Sequence, residues 1–306
     1  MDIRDTLFFK QADLLLQILP IVSEFENFAL KGGTAINFFV RDVPRISVDI
    51  DLTYLPLDDR TTALQNISDH LNNIAGQCES MFPGVSLQSK RRDGFLYGLT
   101  VAVKGAIIKV EPNTTIRGSV YPAVKRTLAP KAQELFARST EIQTLSLEDL
   151  YGGKICAALD RQHPRDLYDI YILLQNEGIT EKVRRAFIVY LLSHNRPISE
   201  LLEPQLKTDL EETYKETFEG MTFEPVKLDD LVGAWRSLVT MINAQLTDEE
   251  KEFILSFKRK SPDWNLFPVS GVKNFPAIQW KLQNIRRMSK QKHKQALEKL
   301  EKVLGG

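Results

Sequence analysis

Two aspartates at alternate positions are the first sign of chemistry in this chain. They lie in Ser47-Val48-Asp49-Ile50-Asp51-Leu52-Thr53-Tyr54, where apolar and polar residues alternate. A period of two predicts a strand with Val48, Ile50, Leu52 and Tyr54 on one face and both carboxylates on the other. Carboxylates that close repel each other in a partly dry site. A divalent cation removes the conflict, and an all-oxygen ligand set suits Mg²⁺. Just upstream stand Gly32, Gly33 and Thr34. The glycines permit a tight turn and close approach of a ligand. Thr34 offers a hydroxyl at a predicted helix start, where free N–H groups and the helix dipole favour phosphate.

Further candidates follow in the chain. Ala106-Ile107-Ile108-Lys109-Val110-Glu111 reads as a strand with Lys109 and Glu111 on one face. Glu111 is either an exposed edge-strand residue or a base able to take a proton from an attacking hydroxyl. Between Leu147 and Ala158, Leu147, Leu150, Tyr151, Lys154 and Ala158 share one helical face, with Ser146 and Asp149 spaced as a capping box before it. A lysine on an apolar stripe either snorkels or has an anionic partner, and phosphate is one such partner. Arg161, at the end of that helix, reads as solvated. Pro164 then opens a helix bearing Arg165, Asp166 and Asp169. Asp166 is either a helix-start dipole partner or a site residue, and Asp169 is placed to hold Arg165.

The wording Lys-Gly-Gly-Thr-Ala at 31–35, then Arg-x-Ser-x-Asp-Ile-Asp-Leu at 45–52, resembles the signature of the polymerase-β-like nucleotidyltransferase superfamily. In particular it resembles the AbiEii/AbiGii toxin family. The pairing of Leu-Glu-Asp-Leu-x-x-x-Lys (147–154) with Arg-Asp-Leu-Tyr-Asp (165–169) resembles that family's later motifs. The likeness is strongest over 30–54, 106–113 and 146–171 and weak beyond about 260. It implies that a third carboxylate, Glu111, joins Asp49 and Asp51 around Mg²⁺. It implies that Gly32, Gly33 and Thr34 bind the nucleotide, that Lys154 holds its phosphates, and that Asp166 completes the catalytic set. A two-metal site, with ions roughly 3.5–4 Å apart, would serve transfer of NMP from NTP with release of pyrophosphate. It further implies the toxin of a toxin–antitoxin pair with an AbiEi-like antitoxin, and an RNA acceptor such as the tRNA 3′ end. The rivals are a nucleotidyltransferase acting on a small molecule or a protein side chain, and a non-catalytic protein that binds NTP or antitoxin.

The elements that must position these residues are legible in outline. Helices are expected over 5–28, with a break at Pro20, and over 34–41 and 59–78; strands over 46–54, 85–90, 94–103 and 106–111. Residues 113–143 read as a connector. Helices are expected over 180–194, 199–218, 228–245, 247–258 and 277–304, with Thr247 and Glu250 as a capping box. This order suggests an α+β fold: a mixed-sheet nucleotidyltransferase lobe at 1–143 and a helical lobe at 144–306, the latter adding Lys154 and Asp166 to the groove.

Composition sets the bounds. The chain's 306 residues, 43% of them hydrophobic, suffice for a sizeable core. No apolar run approaches the roughly 18–20 residues needed to span a membrane, and the opening residues lack an apolar signal core, so a cytoplasmic protein is expected. Cys78 and Cys156 make no disulfide framework or zinc set, and the four histidines are scattered. The net charge of zero hides an asymmetry: from 258 onward twelve Lys/Arg stand against three acids, a net of +9 that leaves −9 on the rest. A basic C-terminal region favours an RNA acceptor.

Overall fold

The computed structural model describes residues 3–305. It divides into two compact units, one running to Leu150 and including Glu219–Pro225, the other comprising Tyr151–Phe218 and Val226 onward. The Asp149 carboxylate accepts from the backbone N–H groups of Val120 and Tyr121, both at 2.8 Å, and so ties the first turn of its helix to the sheet-bearing unit.

In that first unit seven strands, counted among the described residues, form one mixed sheet. They are β1 (Phe28–Lys31), β2 (Asp49–Tyr54), β3 (Ser86–Arg92), β4 (Phe95–Val103), β5 (Ala106–Asn113), β6 (Val124–Thr127) and β7 (Glu141–Thr144). The order across the sheet is β3-β4-β5-β2-β1-β7-β6. β2 runs parallel to β5 and antiparallel to β1. Two helices, Leu7–Ser23 and Arg60–Met81, cover one face. Leu14, Leu15, Ile18 and Val22 of the first, and Ala63, Ile67, Leu71 and Ile74 of the second, are fully or nearly fully buried. Against them lie the apolar positions of the strands, among them Ile50, Leu99, Val101, Ile108 and Val110. The α+β mixed sheet expected from the element order is therefore present.

Four local expectations need correction. Pro20 does not break its helix, which continues to Ser23. It stands in the last turn, where only one ladder bond is lost before the helix ends. The stretch 113–143 is more than a connector: it holds β6, the helix Pro130–Phe136 and β7. Four-residue strands are too short to show a period. The expected helix 199–218 is two pieces, Ile198–Leu202 and Leu210–Thr217, and the expected helix 277–304 divides into Pro276–Arg286 and Lys290–Gly305.

The second unit is built from helices. Of the four aromatics expected in its core from the sequence, Trp235, Phe253 and Phe257 are buried, whereas Trp264 is only half-buried. The Thr247–Glu250 capping box forms with both reciprocal bonds, and Glu250 also takes a 2.8 Å ion pair from Arg184. Cys78 and Cys156 are buried free thiols, and burial raises the pKa of each, that of Cys78 to about 11. Among the described residues, no helix is long and apolar enough to cross a membrane.

Candidate active site

β2 places its aspartates as the alternation demands: Ile50 and Leu52 are fully buried, while Asp49 and Asp51 lie on the other face, half-buried. Parallel pairing with β5 sets Asp49 beside Lys109 and Asp51 beside Glu111. On the other side, antiparallel pairing sets Asp51 beside Lys31, the last residue of β1. Residues in register on neighbouring strands share a face, so three carboxylates from two strands lie on one side of the sheet.

The glycine loop runs directly from β1. Gly32 adopts φ +70°, a left-handed conformation that costs any other residue. A Cβ there would stand 2.6 Å from Asp51 Oδ2 and 3.3 Å from Asp51 Cβ. A Cβ on Gly33 would stand 2.6 Å from Arg45 Nη2 and 2.9 Å from Ser47 Oγ. The loop is thus pressed against the aspartate strand and the segment that leads into it. Thr34, expected to face a phosphate, is 1% exposed, and its hydroxyl donates to the Asp49 carbonyl oxygen at 2.6 Å. It braces the loop from beneath. Arg45, 2% exposed, donates from Nη1 to the Ile46 carbonyl at 2.9 Å and fills the space beside Gly33. The helical turn after the glycines starts at Gly32, two residues before the expected start, and ends in a wider π-type turn over Ile36–Val40.

Glu111 does not stand open on this face. Lys90, from β3, reaches it with Nζ 2.5 Å from Oε1, and both side chains are 39% exposed. That hydrogen bond, with the nearby charges of Glu111 and Asp49, raises the lysine's pKa. Among the described residues no three His, Cys, Asp or Glu side chains converge closely enough to hold an ion as they stand. The donor set nevertheless suits a hard divalent cation: all its members are carboxylate oxygens, one of them seated on a glycine, and their negative charge already draws in the Lys90 ammonium.

Lys154 and Asp166 come together in the helical unit. Lys154 lies on Leu147–Asp160 and Asp166 in the first turn of Pro164–Gln175, the helix that Pro164 opens as expected. Lys154 Nζ is 2.7 Å from Asp166 Oδ1 and 2.9 Å from Asp169 Oδ2, and the three side chains are 6%, 1% and 1% exposed. The lysine on the apolar stripe does have anionic partners, and they are these two carboxylates. Asp169, for which the sequence suggested only Arg165 as a partner, makes an ion pair with Lys154. Arg161 is not merely solvated: its Nε lies 2.5 Å from Asp166 Oδ2, although its side chain is 62% exposed. Burial alone would raise the pKa of Asp166, but the Lys154 ammonium and the Arg161 guanidinium outweigh it and hold the carboxyl well below the usual range.

Four contributors were thus missed in the sequence: Arg45, Lys90, Arg161 as a partner of Asp166, and Asp169 as a partner of Lys154. Arg45 carried a signal, as the arginine of Arg-x-Ser-x-Asp. Lys90 carried none, because its partner is 21 residues away and two strands over.

In comparison with known proteins, MenT4, a nucleotidyltransferase toxin of Mycobacterium tuberculosis, has a similar fold. The TM-score is 0.56 at 15% identity, with 96% of this chain and 92% of that one covered. Terminal uridylyl transferase 4 of Trypanosoma brucei, solved with bound dUTP, aligns over 97% of this chain and 91% of that one. At a TM-score of 0.31 and 12% identity it supports no argument here. Among curated protein sequences none matches. The family model described as the nucleotidyl transferase AbiEii toxin of type IV toxin–antitoxin systems matches residues 13–284. The chain with its glycine loop and paired aspartates therefore belongs to the AbiEii nucleotidyltransferase toxin family.

Proposed function

We propose that this nucleotidyltransferase toxin moves NMP from an NTP to a hydroxyl of an RNA acceptor, with Asp49, Asp51 and Glu111 as the working carboxylates. The observation that carries the reading is their placement on one face of β2 and β5, with Asp51 packed against Gly32. Divalent cations, Mg²⁺ by the chemistry of the donor set, would neutralise the phosphoryl oxygens there. Asp49 and Asp51 supply the fixed negative charge that recruits them. Gly32 and Gly33 let the loop backbone lie directly against Asp51 and Arg45, so that in this reading backbone N–H groups rather than side chains meet the triphosphate. The acceptor oxygen bonds to the α-phosphorus as the bond to the bridging oxygen breaks, and pyrophosphate leaves with that electron pair. Glu111 takes the proton of the attacking hydroxyl. Catalysis of this kind rests on positioning and electrostatics.

Lys154 and Asp166 enter this reading by family resemblance, as a phosphate ligand and a completing carboxylate. The pairing of Lys154 with Asp166 and Asp169 accounts for its burial without any phosphate. We assign it first to holding the helical unit together. The acceptor class rests on the basic C-terminal region, and the partner expected of a type IV toxin is a cognate AbiEi-like antitoxin.

The test is transfer of label from each α-labelled NTP to total cellular RNA and to total protein. Label entering RNA, lost in Asp49→Ala, is the expected result. Label in protein only, or release of pyrophosphate without RNA, would select the side-chain or small-molecule acceptor. NTP binding without turnover would leave a binding protein.

A further inference from the structure

Lys90 and Glu111 belong to strands that are not neighbours. β4 lies between β3 and β5, and strands sit roughly 4.8 Å apart, so the lysine must span nearly 10 Å across the sheet. It does so over Gly98, its register partner on β4. A Cβ on Gly98 would lie 3.4 Å from Lys90 Cδ and 3.8 Å from Glu111 Cγ. The stem of the lysine therefore lies over the one residue of the row without a side chain, and the ammonium closes on the carboxylate. Continued across the sheet, the row is Lys90, Gly98, Glu111, Asp51, Lys31.

The ammonium lies beside Glu111, on the face of the sheet that also bears Asp49 and Asp51. A pair that is 39% exposed on each side is weakly held, so a competitor of higher charge can displace it.

We infer that Lys90 is a built-in counter-charge that competes with the divalent cation for Glu111, and so sets how tightly the site takes its metal. This rests on reading Asp49, Asp51 and Glu111 together as cation ligands. Without the cation, Lys90 offsets the repulsion among the carboxylates and holds Glu111 over Gly98. Cation binding must first break this ion pair, which weakens the apparent affinity. The displaced ammonium remains tethered to β3 at the edge of the site.

The experiment measures Mn²⁺ binding to the intact chain, by electron paramagnetic resonance of free Mn²⁺ and by calorimetry, without nucleotide. Lys90→Met keeps the stem and removes the charge; it should lower the Kd about two- to five-fold, the scale of an exposed ion pair. Lys90→Arg keeps the charge and should stay within about two-fold of wild type. Asp49→Ala should weaken binding at least about ten-fold. An unchanged or weaker affinity in Lys90→Met, with Asp49→Ala still weakened, overturns the role of Lys90 alone. An unchanged affinity in Asp49→Ala overturns the cation site itself. Because Lys90 is on the surface, melting temperatures near wild type are expected for both of its variants.

Discussion

Asp51 Oδ2 lies 2.6 Å from where a Cβ on Gly32 would have to stand. The glycine is therefore required twice, once for its φ of +70° and once for the space that the carboxylate occupies. Gly32→Ala should cost about 1–2 kcal/mol of stability for the left-handed backbone. It should also cut transfer about a hundredfold, since displacing a reacting group by an ångström has that scale. Gly84, at φ +76° with nothing within 4 Å of its virtual Cβ, separates the two effects. Gly84→Ala should lose comparable stability and keep full activity. Thermal melts alongside turnover of both variants check this; equal activity in the two would remove Gly32 from the site.

Asp49→Ala and Asp51→Ala should each lower turnover by at least about a thousandfold, several kcal/mol of transition-state stabilisation. Neither side chain is in the apolar core, so melting temperatures should hold. Turnover near wild type in either variant would end the assignment of the aspartate face.

The buried pair in the helical unit predicts a different signature. Lys154→Ala leaves Asp166 and Asp169 without their ammonium and should cost about 3–5 kcal/mol. Arg161→Ala removes a partner that is 62% exposed and should cost far less. Denaturant melts of the two decide the matter. A stable Lys154→Ala protein with a raised KM for NTP would move Lys154 from scaffold to phosphate ligand.

The depressed pKa of Asp166 also has a pH consequence. A carboxylate held below its ordinary value stabilises the fold fully above the unfolded pKa of about 3.9. Its contribution fades as pH falls below that, because the unfolded chain then takes up a proton that the folded one refuses. Wild type should lose stability between about pH 5 and 3 more steeply than Asp166→Asn, measured by urea melts across that range. Parallel curves would show that the pair does not couple to acid unfolding.

Arg286, Arg287, Lys290, Lys292 and Lys294 are all exposed, and they straddle the break between Pro276–Arg286 and Lys290–Gly305. If about three of them meet RNA phosphates at once, log Kd against log salt should have a slope magnitude of roughly 2 on single strands and nearer 3 on duplex. Replacing all five with glutamine should weaken RNA binding and flatten that slope while NTP binding is unchanged. RNA affinity at several salt concentrations gives the answer. An unchanged slope would make this a solvated surface and leave the RNA reading resting on the family alone.

Local periodicity carried most of what was legible. Alternation around Asp49 and Asp51 predicted both the strand and the face that bears the carboxylates, because a side-chain period of two leaves no freedom once one face is buried. The same logic placed Lys109 and Glu111 together. Where a residue's partner lies far along the chain, that logic had nothing to work on. Thr34 was expected to face a ligand, yet its hydroxyl is taken by the carbonyl of Asp49, fifteen residues on. The short strands β6 and β7 escaped because four residues complete no pattern.

The sequence by itself determined the kind of chemistry: two carboxylates at strand spacing, a glycine turn before them, and a wording shared with a toxin family. Those are properties of neighbouring residues, and backbone geometry converts them directly into direction and exposure. Only the tertiary structure decided which charges meet. It brought Lys90 across Gly98 to Glu111, and turned Lys154 toward Asp166 and Asp169. Ion pairing depends on strand order and helix packing, and those are fixed by burial summed over the whole chain, beyond the reach of any single segment.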